Sequence, residues 1–250
     1  MTALLRTEQL KKYFGEVHAT DRVDLALEPG VLTAIIGPNG AGKTTFINLL
    51  TGLMAPDSGR IFFKEEDITR LPTHMRVKRG LCRSFQIMNI FPQLTVFQNV
   101  LVPVLAAMGK GADPLARLDG ETNAGSEASA ILAEFGFDEK AELLAGQLSH
   151  GDQRLLEMSI AVASKPVLCF LDEPTSGTNP VERTRVLDTI KRLSTEKQTT
   201  FVIVEHDMDV VFALAERVIV MNRGQILTQG PPQAIKEDKE VREIYLGEEV

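Results

Sequence analysis

The chain has 250 residues, of which 44% are hydrophobic and 24% are charged, so it is long enough to bury a full core. Its formal net charge of −7 and its pI near 5.3 argue against nucleic acid as the main ligand. Cys82 and Cys169 lie within apolar strings and are too few for a disulfide framework.

The sequence contains no membrane-spanning candidate and no signal peptide. No apolar stretch approaches the roughly 20 residues that cross a bilayer, and the N-terminal string MTALLRTEQLKKYFG lacks an apolar signal core. We therefore expect a cytoplasmic protein whose role at a membrane would depend on a partner.

The first informative element is a strand followed by a glycine-rich turn. Residues 31–36 (VLTAII) predict a buried strand, and GPNGAGKTT follows directly at residues 37–45. This string fits the phosphate-loop pattern G-x-x-x-x-G-K-[ST], in which glycines let backbone N–H groups surround a phosphate, lysine reaches the phosphate oxygens and threonine binds magnesium. The candidate triphosphate-binding residues are Gly37, Pro38, Asn39, Gly40, Ala41, Gly42, Lys43, Thr44 and Thr45.

The middle of the chain predicts helices instead of strands. Helical periodicity extends over Thr95–Met108, Ser126–Phe135 and His150–Ala163, and we interpret residues 94–162 as an inserted helical lobe. Between the first two helices, Gly109–Gly125 is rich in Gly, Ala and Asp and predicts a surface loop.

Short apolar runs return after the helical lobe. They lack strict alternation and are rich in Val, Ile and Leu, which is typical of central strands of a parallel sheet covered on both faces. Together with the first strand they predict an α/β core. These runs are Val167–Leu171, Thr200–Val204 and Arg217–Met221.

The string LCFLDEP at residues 168–174 places two carboxylates at the end of a predicted strand. Ligands of open α/β sheets collect at the carboxyl ends of the strands. Asp172 is therefore a candidate magnesium ligand, and Glu173 a candidate for polarising the attacking water. The alternative is an acidic pair that caps the next helix.

These motifs and their order resemble those of the ATP-binding cassette (ABC) family, the ATPase subunits of ABC transporters. The resemblance covers nearly the whole chain. Residues 37–45 resemble its Walker A loop and residues 167–173 its Walker B strand. Four further elements match in order: the Q-loop Gln86, the signature Leu148–Gln153 (LSHGDQ), the D-loop Ser176–Pro180 (SGTNP) and the switch residue His206.

The resemblance implies a P-loop NTPase fold with a mostly parallel central sheet and an N-terminal antiparallel β region. It also implies one ABC ATPase domain over residues 1–250, with a nucleotide-binding core at 1–86 and 163–250 and a helical subdomain at 87–162. Phe14, 23 positions before Gly37, resembles the family's aromatic residue that stacks on adenine, and Tyr13 is the alternative.

In this family two subunits enclose two ATP molecules head to tail, so the resemblance implies that one chain holds half of each site. The half that acts in trans comprises Ser149, His150, Gly151, Asp152 and Asn179. Within the chain's own half, the resemblance makes Gln86 a catalytic residue and a magnesium ligand. It makes His206 a catalytic partner that bonds the γ-phosphate and orients Glu173.

The signature and D-loop depart from the family pattern. His150 replaces Gly and Asp152 replaces Gln, whereas Ser149 and Gly151 are retained. His150 either reflects drift on a solvent-facing turn, which we favour, or touches nucleotide in trans and makes the activity pH-sensitive. In the D-loop, Gly177–Asn179 stand where Ala, Leu and Asp are commonest, but Asn179 retains hydrogen-bonding capacity.

The strings LSHGDQRLLEM, SGTNP and REIYLGEE resemble ATPases of importers for branched-chain amino acids and for urea or related amides. This resemblance implies membrane permeases, a second ATPase subunit (the same chain or a paralogue) and, indirectly, a solute-binding protein as partners. It also implies a peripheral location on the cytoplasmic face of the membrane. ATP and Mg²⁺ are the expected ligands, and ATP-driven closure of the two cassettes would power transport.

Three alternatives remain at this point. The ATPase of lipopolysaccharide export shares the tail resemblance but has the usual signature glycines. A soluble ABC protein of translation or DNA repair would need a second cassette or a long insertion. A nucleotide kinase would leave LSHGDQ and His206 unexplained.

Overall fold

The structure is a computed structural model that describes residues 2–84, 90–109, 122–196 and 198–246. Its strands are β1 (Leu5–Phe14), β2 (Val17–Leu27), β3 (Thr33–Ile36), β4 (Ser58–Phe63), β5 (Glu66–Asp67), β6 (Leu81–Arg83), β7 (Leu168–Asp172), β8 (Thr200–Val204), β9 (Arg217–Asn222) and β10 (Gln225–Gly230). Its α-helices are α1 (Lys43–Thr51), α2 (Thr73–Lys78), α3 (Val96–Ala107), α4 (Thr122–Glu134), α5 (His150–Ala163), α6 (Pro180–Thr195), α7 (Met208–Leu214), α8 (Pro232–Glu237) and α9 (Lys239–Leu246).

The larger sheet has six strands in the order β10-β9-β3-β8-β7-β6. All neighbours are parallel except β10 and β9, which form an antiparallel pair at one edge. Every residue of β3, β7 and β8 is buried, which explains their continuous apolar sequences. The predicted strands differ from the observed ones by at most two residues at either end, since β3 begins at Thr33 and not Val31, whereas β8 has the predicted bounds.

Side chains on the two faces of this sheet enter different cores. In β7, Cys169 and Leu171 join the core beneath the helices, whereas Leu168 and Phe170 join the core that contains α1 and the smaller sheet. This alternation follows from the two-residue period of a strand. Because both faces are covered by apolar groups, the ends of β3, β7 and β8 are held in fixed positions.

The smaller sheet is antiparallel, in the order β2-β1-β4-β5. It is joined to the larger sheet beside α1, where the Asp21 N–H donates to the Gly224 carbonyl at 2.8 Å. The predicted α/β class, with a mostly parallel central sheet and an N-terminal antiparallel region, is confirmed.

Helices α3, α4 and α5 lie in the sequence between β6 and β7, and their apolar faces form one core. Thr95 caps α3 through a capping box. The prediction for α5 is confirmed at both ends. We do not observe a strand in residues 90–109 or 122–163, although Thr95 and Leu144 form an isolated bridge. The division into a core and a helical subdomain at residues 87 and 162 stays a prediction.

The predicted surface loop Gly109–Gly125 was wrong at its C-terminal end. Helix α4 begins at Thr122 and not Ser126, because Ala124 is fully buried in the core against the neighbouring helices. Tertiary packing here outweighs the low helix propensity of Gly125. Residues 110–121 of this segment lie outside the described residues.

A buried arginine fixes the C-terminal end of α1. Arg76, in α2, is 1% exposed and donates to the carbonyls of Leu49 and Leu50 at 2.8 and 2.7 Å, and to those of Leu71 and Thr69. A cation at a helix C-terminus is favoured by the helix dipole, and burial lowers the pKa of this guanidinium to about 10. Helix α1 is therefore anchored at the end opposite the glycine-rich turn.

None of the helices in the described part of the chain has the length and the apolar composition needed to cross a membrane.

Candidate functional site

The glycine-rich turn connects β3 to the start of α1, as the sequence predicts. Gly42 is the N-cap of α1 and has a φ of 98°, in the left-handed region. A Cβ at Gly42 would lie 2.1 Å from the Ala19 carbonyl oxygen, and one at Gly37 would lie 2.3 Å from the Met221 carbonyl oxygen. Both positions press against the backbone of neighbouring strands, so only glycine fits there.

Lys43 is folded back over this turn. Its Nζ donates to the carbonyl oxygens of Gly37 at 2.5 Å and Pro38 at 3.1 Å. Burial lowers the pKa of its ammonium group, and the charges of Glu173 and Asp172 oppose that shift. The ammonium group thus lies inside the ring of backbone atoms where a phosphate would be bound.

The carboxylate Asp172 ends β7 and is 5% exposed. Its Oδ2 accepts from Arg83 Nη2 at 2.6 Å, and Arg83 Nη1 donates to Asn48 Oδ1 at 2.5 Å. Arg83 therefore joins β6, α1 and β7 in one buried network. No sequence pattern indicated Arg83, because its partners lie 35 and 89 positions away.

Glu173, the next residue, has a left-handed backbone with φ of 44°. Such a conformation costs about 1–3 kcal/mol in a residue other than glycine and is common at functional sites. The Glu173 N–H still donates to the Val204 carbonyl at 2.9 Å. The strand pairing thus continues while the side chain is turned out of the sheet.

Glu173 and His206 face each other across the ends of β7 and β8. Glu173 Oε1 lies 3.5 Å from His206 Nδ1, and their side chains are 28% and 65% exposed. The predicted pair is therefore brought together in a solvent-accessible position. An imidazole within 3.5 Å can hold the carboxylate toward an incoming water molecule.

Beneath His206 lies a buried carboxyl that sequence analysis missed. Glu205 is 2% exposed, accepts from Thr175 Oγ1 at 2.9 Å and accepts from the His206 N–H at 3.3 Å. Burial raises the pKa of this carboxyl. Glu205 therefore ties the segment after β7 to the segment that carries His206.

A cavity of about 300 Å³ lies beside the glycine-rich turn. The turn from Asn39 to Thr45, Asp172, Glu173 and Val204 line it, so the predicted loop and both predicted carboxylates meet there. Val17, His18 and Ala19 of β2 complete the lining, and no motif in the sequence indicated them. A larger cavity of about 790 Å³ lies between the end of α4 and one side of α6, and none of its lining residues was a predicted site residue.

The two candidate aromatic residues have different surroundings. Tyr13 stacks on His18 with ring centroids 4.0 Å apart, and its hydroxyl donates to Asp21 at 2.6 Å. Phe14 ends β1 and is 49% exposed. Phe14 therefore has the more accessible ring face, and its role in stacking on a base stays a prediction.

Residues 148–153, which we call the signature turn, form the start of α5. Ser149 is the N-cap and its Oγ accepts from the Asp152 N–H at 3.2 Å. Ser149 and His150 are exposed, whereas Gly151 and Asp152 are buried. Within the described residues, the 300 Å³ cavity of this chain has no lining residue from the signature turn.

The Asp152 carboxylate faces inward. It is paired with Lys140 through one oxygen and with Arg185 through the other, the latter at 2.7 Å. Asn179, also predicted to act in trans, is exposed and caps α6, where its side chain accepts from the Val181 and Glu182 N–H groups at 3.0 Å. The trans contacts of this group stay predictions.

Gln86, the predicted Q-loop residue, lies outside the described residues, as does the tail from Gly247 to Val250. In the part of the chain that is described, no three His, Cys, Asp or Glu residues cluster as a metal site.

Comparison with known proteins identifies the family. The family described as "ABC transporter" matches residues 20–176, and the family described as "Branched-chain amino acid ATP-binding cassette transporter" matches residues 225–250. The high-affinity branched-chain amino acid transport ATP-binding protein LivG of Escherichia coli (strain K12) is 35% identical over 250 residues, covering 98% of each chain. BraF of Pseudomonas aeruginosa, with the same description, is 35% identical over 253 residues and 98% of each chain.

Solved structures that resemble this chain are also ATP-binding cassettes of ABC transporters. A nucleotide-free ATP-binding cassette from an ABC transporter has a TM-score of 0.86 and 32% identity, covering 99% of this chain and 100% of that one. The ADP conformation of an ATP-binding cassette of an ABC transporter has a TM-score of 0.84 at 32% identity, with the same coverage. The resemblance seen in the sequence is thus confirmed.

Proposed function

The chain belongs to the ABC transporter family of ATP-binding proteins, and from that premise we propose that it is the ATP-hydrolysing subunit of an importer for branched-chain amino acids. One observation carries the catalytic part of the proposal. The phosphate-loop lysine and the carboxylates of Asp172 and Glu173 meet at one cavity, with His206 3.5 Å from Glu173.

In this proposal ATP binds with its phosphates in the glycine-rich turn. The backbone N–H groups at the start of α1 and the Lys43 ammonium hold the phosphate oxygens. Glu173 orients and polarises the attacking water, and His206 holds Glu173 and the γ-phosphate. Phe14 supports the adenine, and the cavity wall at Val17–Ala19 contacts the adjacent part of the nucleotide.

The donor set fits Mg²⁺. Magnesium takes hard oxygen ligands and usually keeps several waters, with one or two protein ligands beside the phosphates. Thr44 and Asp172 offer a hydroxyl and a carboxylate at the same cavity, and Gln86 would be the third ligand. When bound, the ion neutralises charge on the phosphate oxygens. Arg83 Nη2 donates to Asp172 Oδ2 at 2.6 Å and so fixes the position of that carboxylate at the cavity.

The second half of each site comes from another subunit. Ser149 and His150 are exposed at the positive end of α5, where a phosphate is favoured. Ser149 and the backbone at Gly151 contact the γ-phosphate of the partner, which is a second copy of this chain or a paralogue. ATP bound between the subunits then favours the closed pair.

The transport role rests on the relatives. LivG and BraF are described as branched-chain amino acid transport proteins, and the C-terminal match at residues 225–250 carries the same substrate class. That match favours this importer over an importer for urea or amides and over a lipopolysaccharide exporter. We propose permease subunits as direct partners, a solute-binding protein as an indirect one, and a peripheral position on the cytoplasmic face of the membrane.

The test is affinity purification of tagged Glu173→Gln from detergent-solubilised native membranes with MgATP, followed by mass spectrometry. We expect polytopic permeases and an ATPase partner, and reconstituted complexes should take up leucine, isoleucine or valine only with wild-type Glu173. An export partner, or only soluble proteins, would overturn the importer assignment. Lys43→Ala is the matched control, since it should not retain ATP and should not be trapped with the complex in an ATP-dependent way.

A further inference from the structure

The buried carboxylate of the signature turn is anchored to α6. Asp152 is 6% exposed, and both of its oxygens are used, one by Lys140 and the other by Arg185. Its N–H donates to Ser149 Oγ at 3.2 Å. A carboxylate held by two cations on the inner side of the turn is not available to a nucleotide on the outer side.

Arg185 reaches three elements at once. Its Nη1 donates to Asp152 Oδ1 at 2.7 Å, and its Nη2 donates to the carbonyls of Phe135 at 3.1 Å and Gly136 at 3.5 Å. It therefore connects α6 to the first turn of α5 and to the chain just after α4. Charge-assisted hydrogen bonds of this kind are about twice as strong as neutral ones.

Glu182, one turn earlier on the same face of α6, holds the other side of the signature turn. Its Oε2 accepts from the Asn179 N–H at 3.2 Å, and the neighbouring Ser149 hydroxyl is the largest cause of a lowered pKa of its carboxyl. A Cβ at Gly151 would lie 2.5–2.6 Å from three carbon atoms of the Glu182 side chain. Gly151 is thus required for the close approach of α5 and α6.

The start of α6 also contacts the chain's own catalytic segment. Arg183 Nη2 lies 2.7 Å from Asp207 Oδ2, and Asp207 caps α7 directly after His206. The first two turns of α6 therefore bond both to the signature turn and to the segment that carries His206.

We propose that Glu182 and Arg185 are positioning residues that hold the signature turn in register with the His206 segment, and that Asp152 is their anchor and not a ligand of ATP. This inference rests on the proposed pairing of two cassettes around ATP. Through α6, the surface offered to the partner's ATP and the chain's own Glu173–His206 pair move as one unit. Asp152 in place of the usual Gln supplies the negative charge that Arg185 and Lys140 need.

The test measures pairing in the full-length chain with Glu173→Gln, which retains ATP. Association with itself, or with the ATPase subunit that copurifies with it, is followed by sedimentation as ATP is raised. Adding Arg185→Met should raise the ATP concentration for half-maximal pairing at least 10-fold, since one charge-assisted contact is lost. The affinity of the unpaired chain for MgADP should change less than 2-fold.

Arg192→Met is the matched control. Arg192 lies two turns further along α6 with the same 42% exposure as Arg185, and it donates to the Glu134 side chain and carbonyl at 2.8 and 2.9 Å. It supports the end of α4, and the hydrogen bonds and ion pairs of its side chain among the described residues join it to Glu134 and Glu196 and not to the signature turn. We expect pairing of this variant to match that of the parent.

Asp152→Asn is the second variant. If Arg185→Met does not fold, Asp152→Asn alone should still raise the ATP concentration for half-maximal pairing, and pairing equal to that of the parent would overturn the inference. The double variant of Asp152→Asn with Arg185→Met should need no more ATP for half-maximal pairing than the more impaired of the two single variants. The effects of Asp152→Asn and Arg192→Met on that ATP concentration should instead be additive. Equal pairing of Arg185→Met and Arg192→Met, or full additivity of the first double variant, would overturn the inference alone. If the parent binds ATP but forms no pair with any subunit, the proposed function itself is overturned.

Discussion

The phosphate loop and the signature turn, which we propose as the two halves of the ATP site within one chain, are built differently. The phosphate-loop half lies at the ends of buried strands, where Gly37 and Gly42 press against backbone atoms and Asp172 is paired with a buried arginine. The signature turn lies at a surface helix start, held by side chains that are themselves about 40% exposed. This difference indicates that the sheet fixes the conformation of the phosphate-loop half. The signature turn can accept substitutions when side chains of other helices make compensating contacts.

The largest expected effect separates binding from turnover in the phosphate-loop half. Glu173→Gln should lower ATP turnover roughly 10³-fold, because it removes the carboxylate that polarises water, while ATP binding is retained. Phosphate release and binding of a fluorescent ATP analogue measure the two quantities. Lys43→Ala should show the reverse order, with binding lost first, and wild-type turnover in Glu173→Gln would remove it as the main catalytic carboxylate.

The buried ion pair gives the next effect. Arg83→Met should lower the free energy of unfolding by about 3–5 kcal/mol, because Asp172 is left buried and unpaired by its cation. Arg79→Met is the control: Arg79 is paired with Glu66 at 2.7 Å, but the two side chains are 29% and 52% exposed, so about 0–1 kcal/mol is expected. Urea unfolding measures both, and equal losses would contradict the contrast.

The contribution of a carboxyl to the free energy of unfolding should change with pH in opposite directions for Glu205, near the phosphate-loop half, and for Glu182, beside the signature turn. Burial raises the folded pKa of Glu205 above its usual 4.5, so the stability it contributes is present below pH 4.5 and is lost as pH rises through the folded value. The folded pKa of Glu182 is lowered, and the largest cause is Ser149. The stability that Glu182 contributes is therefore present above pH 4.5 and is lost as the pH falls through the folded value.

Comparing wild type with Glu205→Gln and with Glu182→Gln by urea unfolding tests these signs. The advantage of wild type over Glu205→Gln should shrink as pH rises from 4.5, and that over Glu182→Gln should shrink as pH falls below 4.5. Two slopes of the same sign would show that the two carboxyls do not differ in this way.

The smallest effect concerns His150. It is exposed at the first position of α5, and the capping contacts are made by Ser149 and Asp152. We expect His150→Gly to change ATPase activity less than about 2-fold at any pH between about 6 and 8, since the exposed imidazole makes none of the capping contacts of α5. A decrease in ATPase activity confined to the acidic end would support a contact with nucleotide in trans.

Sequence alone determined the features that depend on local patterns. The continuous apolar strands, the glycine-rich turn and the helix that begins at His150 follow from short-range periodicity and capping, so their predictions are confirmed almost residue by residue. The Glu173–His206 pair was also predicted, but from the resemblance to the ABC family; in the fold the ends of the parallel strands β7 and β8 place the two residues at the same edge of the sheet.

Only the tertiary structure decided which partners the buried charges have. Arg83 and Asp172 are 89 positions apart in the sequence, and Arg185 and Asp152 are 33 apart. Arg76 is 26 or 27 positions from the two carbonyl groups that it contacts at the end of α1. A buried charge requires a partner, but no local pattern states which one, since the partner is chosen by how helices pack on the sheet. For that reason the sequence predicted Asp152 as a nucleotide contact but gave no sign that the fold pairs its buried carboxylate with Lys140 and Arg185.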